Sequence, residues 1–444
     1  MGTAFTSIAG DGSALFYNPA GIGFQRGTKL QMEMMAVVGL FRFTPSDVLP
    51  GTAVPPNGYS GSIKPHFIPV ASLYLTHQIG KKWTFGLGMF APFGLSANFT
   101  NFHDGDPALT KFPGRFAGTR ASLESFWFQP TAAYRINESS SLAAGVAVVH
   151  THLFLEQSIL NPLGDALDFG REAAHTIFPG ANKEQAAAVI ARLLPEGRSR
   201  VAGTANSPGF NLGYLYRDKR SRINFGAMFR SAVTNHLSGQ ASFAFGSGYP
   251  LQQFVGADLL PKAFPNQPVH GSFTTPATYA VGVSRPFGRR TLMALDFRLQ
   301  DYRRFQDVPL NFTQTEATNP DVRTPAEKRL VFDFRNSYQV AFGLERSLKE
   351  NLTIRAGYLF DYSPVPDKSV GPLFPDCNRN SLTVGGSLRT RTGEFTFFYE
   401  AMFFAQRNTS VAANNNIFTN GLYDNFAHVI GMGLRIGTKR EGPD

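Results

Sequence analysis

The chain runs to 444 residues with 44 Gly, 42 Phe and 14 Tyr but 17% charged residues and two Trp, a chain of tight turns and aromatic strand residues rather than paired helical domains. Its mean hydropathy is near zero, and its longest apolar run near mid-chain, Leu142 to Val149, falls short of the roughly 18 to 20 residues of a spanning helix, which excludes a helical membrane protein but not a transmembrane barrel. The net charge of +10 is spread through short turns and alternating positions without a basic helix or stacking platform, so nucleic acid is not an expected partner and solvent or lipid head groups are.

In chain order, Met1 is followed by Gly-Thr-Ala-Phe rather than by the basic residues and apolar stretch of a secretory signal, so the N-terminus is expected to be trimmed or truncated. The run DGSALFYNPAGIG, Asp11 to Gly23, is too short and irregular for a strand or helix. Within it Asn18 can bridge backbone groups, Pro19 fixes a bend, and Gly21 and Gly23 allow close approach to a neighbouring wall. Period-two alternation then dominates. In Leu352 to Tyr362, Leu352, Ile354, Ala356, Tyr358, Phe360 and Tyr362 share one face, opposite Thr353, Arg355, Gly357, Leu359 and Asp361. From Asp333 to Glu345, Phe334, Tyr338, Val340, Phe342 and Leu344 oppose Asp333, Arg335, Ser337, Gln339 and Glu345.

Fourteen such segments are predicted, at 28–43, 66–79, 83–91, 121–136, 141–157, 209–217, 222–245, 272–286, 291–305, 331–347, 352–362, 380–389, 393–404 and 426–437. Many reach the nine to eleven residues or so that a tilted strand needs to cross a bilayer. Their connections alternate strictly. Six are short turns, such as Gly80-Lys81-Lys82 and Asn137-Glu138-Ser139, and seven are long loops. That sorting fits an all-β, 14-stranded antiparallel transmembrane barrel, with both termini at the short-turn, periplasmic end, and not a soluble sandwich. The longest loop, 158–208, carries helical spacing from Asn182 to Leu194, either a greasy landing patch or a cap on the barrel.

Candidate chemistry is sparse. Lumen-side cations Arg230, Arg298, Arg335 and Arg355 suit a ligand carboxylate, although interstrand neutralising pairs are the commoner use of such charges. His150, His152 and Glu156 share a strand face but lack a third ligand at convincing spacing and read as polar lumen filler, so no metal, catalytic residue or cofactor is expected. Cys377 is alone and allows neither disulfide nor thiolate cluster. At Ala91-Pro92-Phe93-Gly94, Pro92 has no amide to give a ladder and Gly94 permits unusual dihedrals, so the wall could fail to pair, or the strand could simply end.

GDGSALFYNPAGIG resembles the hatch signature of the FadL family, outer-membrane channels for long-chain fatty acids and other hydrophobic molecules. In family order follow WTFGLGMFAPFGL (Trp83 to Leu95), FPGRFAG (Phe112 to Gly118), INFGAMFRSAV (Ile223 to Val233), TTPATYAVGVS (Thr274 to Ser284) and IRAGYLFDYSPVPDKSVGPLFPDCNRNSLTVGG (Ile354 to Gly386). The resemblance implies a plug at 1–27, shorter than the family's, with Asn18, Pro19, Ala20 and Gly21 at its turn, a barrel at 28–437 and a periplasmic tail at 438–444. It implies capture of ligand on loops 158–208 and 245–271, passage to a lumen pocket gated by the hatch, and sideways exit at the kink Ala91 to Gly94. Fatty acids, aromatic hydrocarbons and outer-membrane lipids are the implied partners of a monomer; the alternative is a FadL-like barrel serving as a shuttle or assembly partner in protein secretion.

Overall fold

A computed structural model describes residues 1–46, 60–62, 68–99, 112–160, 164–246, 248–252, 258–409 and 417–437. Fourteen antiparallel strands close into one barrel. They are β1 (Thr28–Pro45), β2 (Ile68–Ile79), β3 (Trp83–Asn98), β4 (Arg120–Arg135), β5 (Ser140–Leu160) and β6 (Glu196–Arg217). Next come β7 in two pieces (Asn224–Arg230 and Val233–Phe245), β8 in two pieces (Gln267–Thr275 and Thr278–Phe287) and β9 (Thr291–Gln300). The last five are β10 (Ser337–Lys349), β11 (Leu352–Asp361), β12 (Arg379–Arg389), β13 (Glu394–Phe404) and β14 (Gly421–Gly437). Closure is made by β1 and β14, paired from Lys29 with Gly437 to Pro45 with Gly421, so both ends of the barrel chain lie at the short-turn end. Closure leaves no terminal strand with a free edge to be satisfied in lipid.

Alternation decides which face each side chain takes. Ile354 and Tyr358 of β11 are exposed outward while Leu359 and Asp361 are buried inward, as predicted. Outside, aromatic and aliphatic side chains such as Trp83, Phe128, Val146, Phe297 and Phe397 form an exposed apolar band. On a soluble protein such a band would be an aggregation surface; around a closed barrel it matches lipid.

The sequence reading missed interruptions in the wall. β7 breaks at Ser231-Ala232 and β8 at Pro276-Ala277 at the same level, since Arg230 pairs with Thr278 below and Val233 with Thr275 above. The segment predicted at 291–305 stops at Gln300 and resumes at Asp307–Phe312, and that at 331–347 divides between Glu327–Val331 and Ser337–Lys349. Asp333, in the second break, has φ 49°, a left-handed conformation that a strand cannot carry. The alternation nevertheless holds across it, with Phe332 and Phe334 both buried, and its parity resets between Arg335 and Ser337. Phe334 turns inward onto Phe305, Phe332 and Phe374, and Arg335 is exposed outside, over the Tyr362 ring at 4.6 Å. Arg335 is thus not a lumen cation.

The loop helix predicted from Asn182 is present as Lys183–Leu193, with the Asn182 side chain accepting from the Glu184 and Gln185 amides. A second helix, Gly164–Ile177, packs beside it. It escaped notice because Gly170 interrupts its pattern, yet a Cβ there would strike the Ala187 carbonyl, so the glycine is what lets the helices touch. The proposed tail at 438–444 lies outside the described residues.

Candidate functional site

The first 27 residues fill the lumen, and their backbone is held by wall side chains. Irregular backbone at membrane depth leaves amides and carbonyls that only protein can satisfy. Asp296 of β9 accepts from the Phe5 and Thr6 amides at 2.9 and 2.7 Å. Gln31 accepts from the Gly12 amide at 2.9 Å, and Gln129 donates to the Leu15 carbonyl at 3.1 Å. Arg230 donates to the Phe16 carbonyl at 2.5 Å.

Asn18 is fully buried and is the hub of the plug. Its Nδ2 donates to the Thr6 carbonyl at 2.8 Å and to the Tyr214 carbonyl of β6 at 2.9 Å, and its Oδ1 accepts from the Ala20 amide at 3.2 Å. It thereby caps the short 3-10 helix Pro19–Phe24, with Pro19 at the first position where an amide is not needed. Ala20 and Gly21 are buried in that turn. Gly23 meets the wall as expected, since a Cβ there would strike the Ser141 hydroxyl; Gly21 instead lies against Ala9 of the plug itself.

The kink of β3 is a β-bulge. Phe90 pairs with Trp127 and Phe93 with Ser125, so Ala91 and Pro92 together oppose Phe126. On the other edge the ladder to β2 runs from Trp83 with Ile79 to Met89 with Leu73 and ends, although Ser72 to Ile68 stay paired with β1. Among the described residues, the upper half of β3 is therefore held on one side alone. Gly94 has no part in this: its φ is not in the left-handed region and a Cβ would meet nothing within 4 Å. Gly94→Ala is accordingly expected to leave the melting of the barrel, read by heat-dependent gel migration, within about 0.5 kcal/mol of the parent.

These features converge. Phe16 of the plug, Pro92 and Phe93 of the bulge, Trp127, and Arg230 and Arg298 line one lumen cleft of about 60 Å³. At roughly 10 to 15 Å³ per water, that admits a ligand's polar head but not a long chain while the plug is seated. Arg230 is buried among Phe16, Phe90 and Trp127, with ring centroids 4.5, 5.6 and 5.5 Å from its guanidinium carbon. This cage holds the cation by ring quadrupoles rather than by a carboxylate. Arg298 donates to Gln339 at 3.0 Å and stands 5.8 Å from the Tyr17 ring; burial pushes the Tyr17 phenol up to about 12, so it stays neutral. Among the described residues neither arginine has an acidic partner within ion-pair distance, and the Nε of each is unbonded.

Arg355 behaves as neutralising pairs do, joined to Glu345 at 2.6 Å and to Ser387 at 3.0 Å. His150 is exposed on the outer face, 2.9 Å from Asn206, so it is not lumen filler. No metal-binding cluster occurs among the described residues. Above the cleft the interior is apolar and rich in Phe: Phe43, Phe112, Phe273, Phe305, Phe332 and Phe374 belong to one buried cluster with Cys377 at its edge. Burial pushes the Cys377 thiol up to about 12. A maleimide at neutral pH is expected to label Cys377 in the denatured chain and not in the folded one, counted by mass.

Sequence reading did not pick out the cage residues Phe90 and Trp127, nor the anchors Gln129 and Asn211. Their signal was available: Gln129, after Phe126-Trp127-Phe128, and Asn211, between Phe210 and Leu212 and donating to the Leu15 carbonyl at 3.3 Å, are uncharged polar residues at lumen-facing parity.

A closed barrel with an apolar exterior, a plugged lumen and a cleft beneath an aromatic interior defines an outer-membrane transport channel. The family described as "Outer membrane protein transport protein (OMPP1/FadL/TodX)" matches residues 1–435, and the chain belongs to it. It is 24% identical to the long-chain fatty acid transport protein of Escherichia coli K12 over 71% of this chain and 66% of that protein. An outer membrane protein of Neisseria meningitidis serogroup B is 24% identical over 86% of this chain and 78% of its own length. Among solved structures, a FadL homologue of Pseudomonas aeruginosa superposes with TM-score 0.75 at 17% identity, covering 97% of this chain and 95% of that one. The toluene transporter TodX of P. putida superposes with TM-score 0.67 at 16% identity, covering 97% and 95%. Those similarities bear on the fold.

Proposed function

We propose that this barrel passively admits hydrophobic molecules through the outer membrane, long-chain fatty acids and hydrocarbons among them, acting as a monomer with its short-turn end in the periplasm. Ligand collects on the loops at 158–208 and 245–271 and enters the Phe-rich interior. It then reaches the cleft at Arg230 and Arg298 when the plug shifts, and leaves sideways where β3 parts from β2. The observation that carries this reading is the cleft itself, where the plug's Phe16, the bulge's Pro92 and two guanidiniums with no acidic partner among the described residues share one space. The relatives' printed names, fatty acid transport and toluene transport, support the substrate class. No step needs an energy-yielding reaction; a ligand that contacts one plug state better than the other shifts the balance between them.

Arg298 gives the cleaner test, because Arg230 also holds the plug. In proteoliposomes, Arg298→Leu is expected to lower oleate uptake roughly tenfold or more, the worth of a hydrogen bond to a charged group, and to leave uptake of an uncharged hydrocarbon unchanged. Equal losses for both ligands would remove the carboxylate role and leave Arg298 a structural cation.

A further inference from the structure

The outer wall from β3 to β9 is indented, with a groove of about 920 Å³ on its lipid-facing side. The indentation follows from residue size. Ala132 of β4 pairs with Ala144 of β5, and Ala227 of β7 lies beside Tyr214, so small side chains form the floor. Trp83 and Tyr134, their rings 4.9 Å apart, bound one side, and Tyr279 and Phe297 the other. A convex wall touches each lipid on one side; a groove surrounds a chain on three and gains the corresponding dispersion contacts.

The groove is oblique. It opens at the short-turn rim, where Trp83 follows Lys82 and Tyr134 precedes Arg135, and at β8 it reaches Val281, six residues before Phe287. At about 3.3 Å per residue, that is roughly 20 Å up the strand, enough for an acyl chain that spans half of a hydrocarbon core of about 30 Å. Its mouth is basic. The turns beneath it carry Lys81, Lys82, Lys219, Arg220, Arg289 and Arg290 against Glu138 and Asp218. Glu138 is taken up by Lys219, and Asp218 by its own turn through the Arg220 and Ser221 amides. Lys82 stands at the groove's edge, 3.3 Å from the Tyr134 hydroxyl.

We infer that this groove holds an acyl chain of an anionic phospholipid from the leaflet at the short-turn end, its phosphate at Lys81 and Lys82. The seat lies outside the barrel and is independent of the transport route through the lumen.

The test reconstitutes the full chain in bilayers of equal phosphatidylglycerol and phosphatidylcholine, releases it into mild detergent, and counts retained lipids by native mass spectrometry. The parent is expected to keep phosphatidylglycerol over phosphatidylcholine. Lys81→Gln with Lys82→Gln is expected to weaken that retention roughly 25-fold, at about fivefold per surface cation. Ala144→Phe, filling the floor, is expected to expel both lipids, whereas Ala356→Phe on the regular wall of β11 keeps the parent pattern; heat-dependent gel migration confirms that each variant is folded. Equal retention of the two lipids by the parent, parental retention by the lysine pair, displacement of phosphatidylglycerol by oleate, or a second copy of the chain in place of lipid would each overturn the inference.

Discussion

Asn18→Ala is expected to unseat the plug while leaving the barrel closed. The substitution strips donors from the Thr6 and Tyr214 carbonyls and the acceptor from the Ala20 amide. The bonds to the Thr6 carbonyl and the Ala20 amide are buried, at a cost of about 1 to 3 kcal/mol for each orphaned group, and that to the Tyr214 carbonyl is partly buried. The wall loses nothing comparable, because Asn18 takes no part in its interstrand ladders, among them that from Lys29 with Gly437 to Pro45 with Gly421. In planar bilayers the parent is expected to be nearly silent and the variant to show ion-conducting openings, with an unchanged unfolding midpoint for the barrel. Asn18→Asp keeps the cap on Ala20 and loses both Nδ2 donors, so it is expected to fall between the two. A variant as silent as the parent would mean that the plug is held by its other wall contacts and that Asn18 is not its hub.

Deletion of Pro92 is expected to cut oleate uptake by tenfold or more without harming the fold. The reason lies in parity. Phe90 and Trp127 face the lumen as a pair, and Ser125 opposite Phe93 is buried on the same side. With Ala91 and Pro92 both set against Phe126, two residues occupy the place of one. Removing Pro92 leaves Ala91 alone opposite Phe126, restores strict alternation, and keeps every flanking side chain on its present face. It also replaces a residue that has no amide by a ladder that can close. Uptake at the parental rate would show that ligand does not leave through this part of the wall. Uptake lost together with heat-dependent migration would instead report misfolding.

Much of this architecture was legible because strand parity and turn length are local properties. Residues 352–362 display both faces of a strand in eleven letters, and each short turn shows itself by polar residues between two such runs. The plug was legible as the irregular piece left over. What stayed hidden were places where the wall breaks without a local signal. Pro276 advertises its break, but Ser231-Ala232 opposite does not, and its interruption is set by the partner strand. Arg335 was misplaced for the same reason: alternation was carried from Ser337 back through Asn336, where its parity resets. The aromatic cage around Arg230 was equally hidden, since Phe16, Phe90, Trp127 and Arg230 come from four separate segments that only closure of the barrel brings together.

The plug's attachments also order its assembly. The Gly2 amide reaches the Thr383 hydroxyl 381 residues away, and the Thr6 amide reaches Asp296 across 290. The plug, which precedes the barrel in the chain, thus docks against receptors that follow it by hundreds of residues. Until β14 zips onto β1, the plug has no complete seat and gains nothing by ordering, because distant contacts repay their loop entropy only when all are made. Seating of the plug is therefore a report that the barrel is finished: an unfinished barrel holds a loose N-terminal strand of chain, open to a protease, and a finished one hides it.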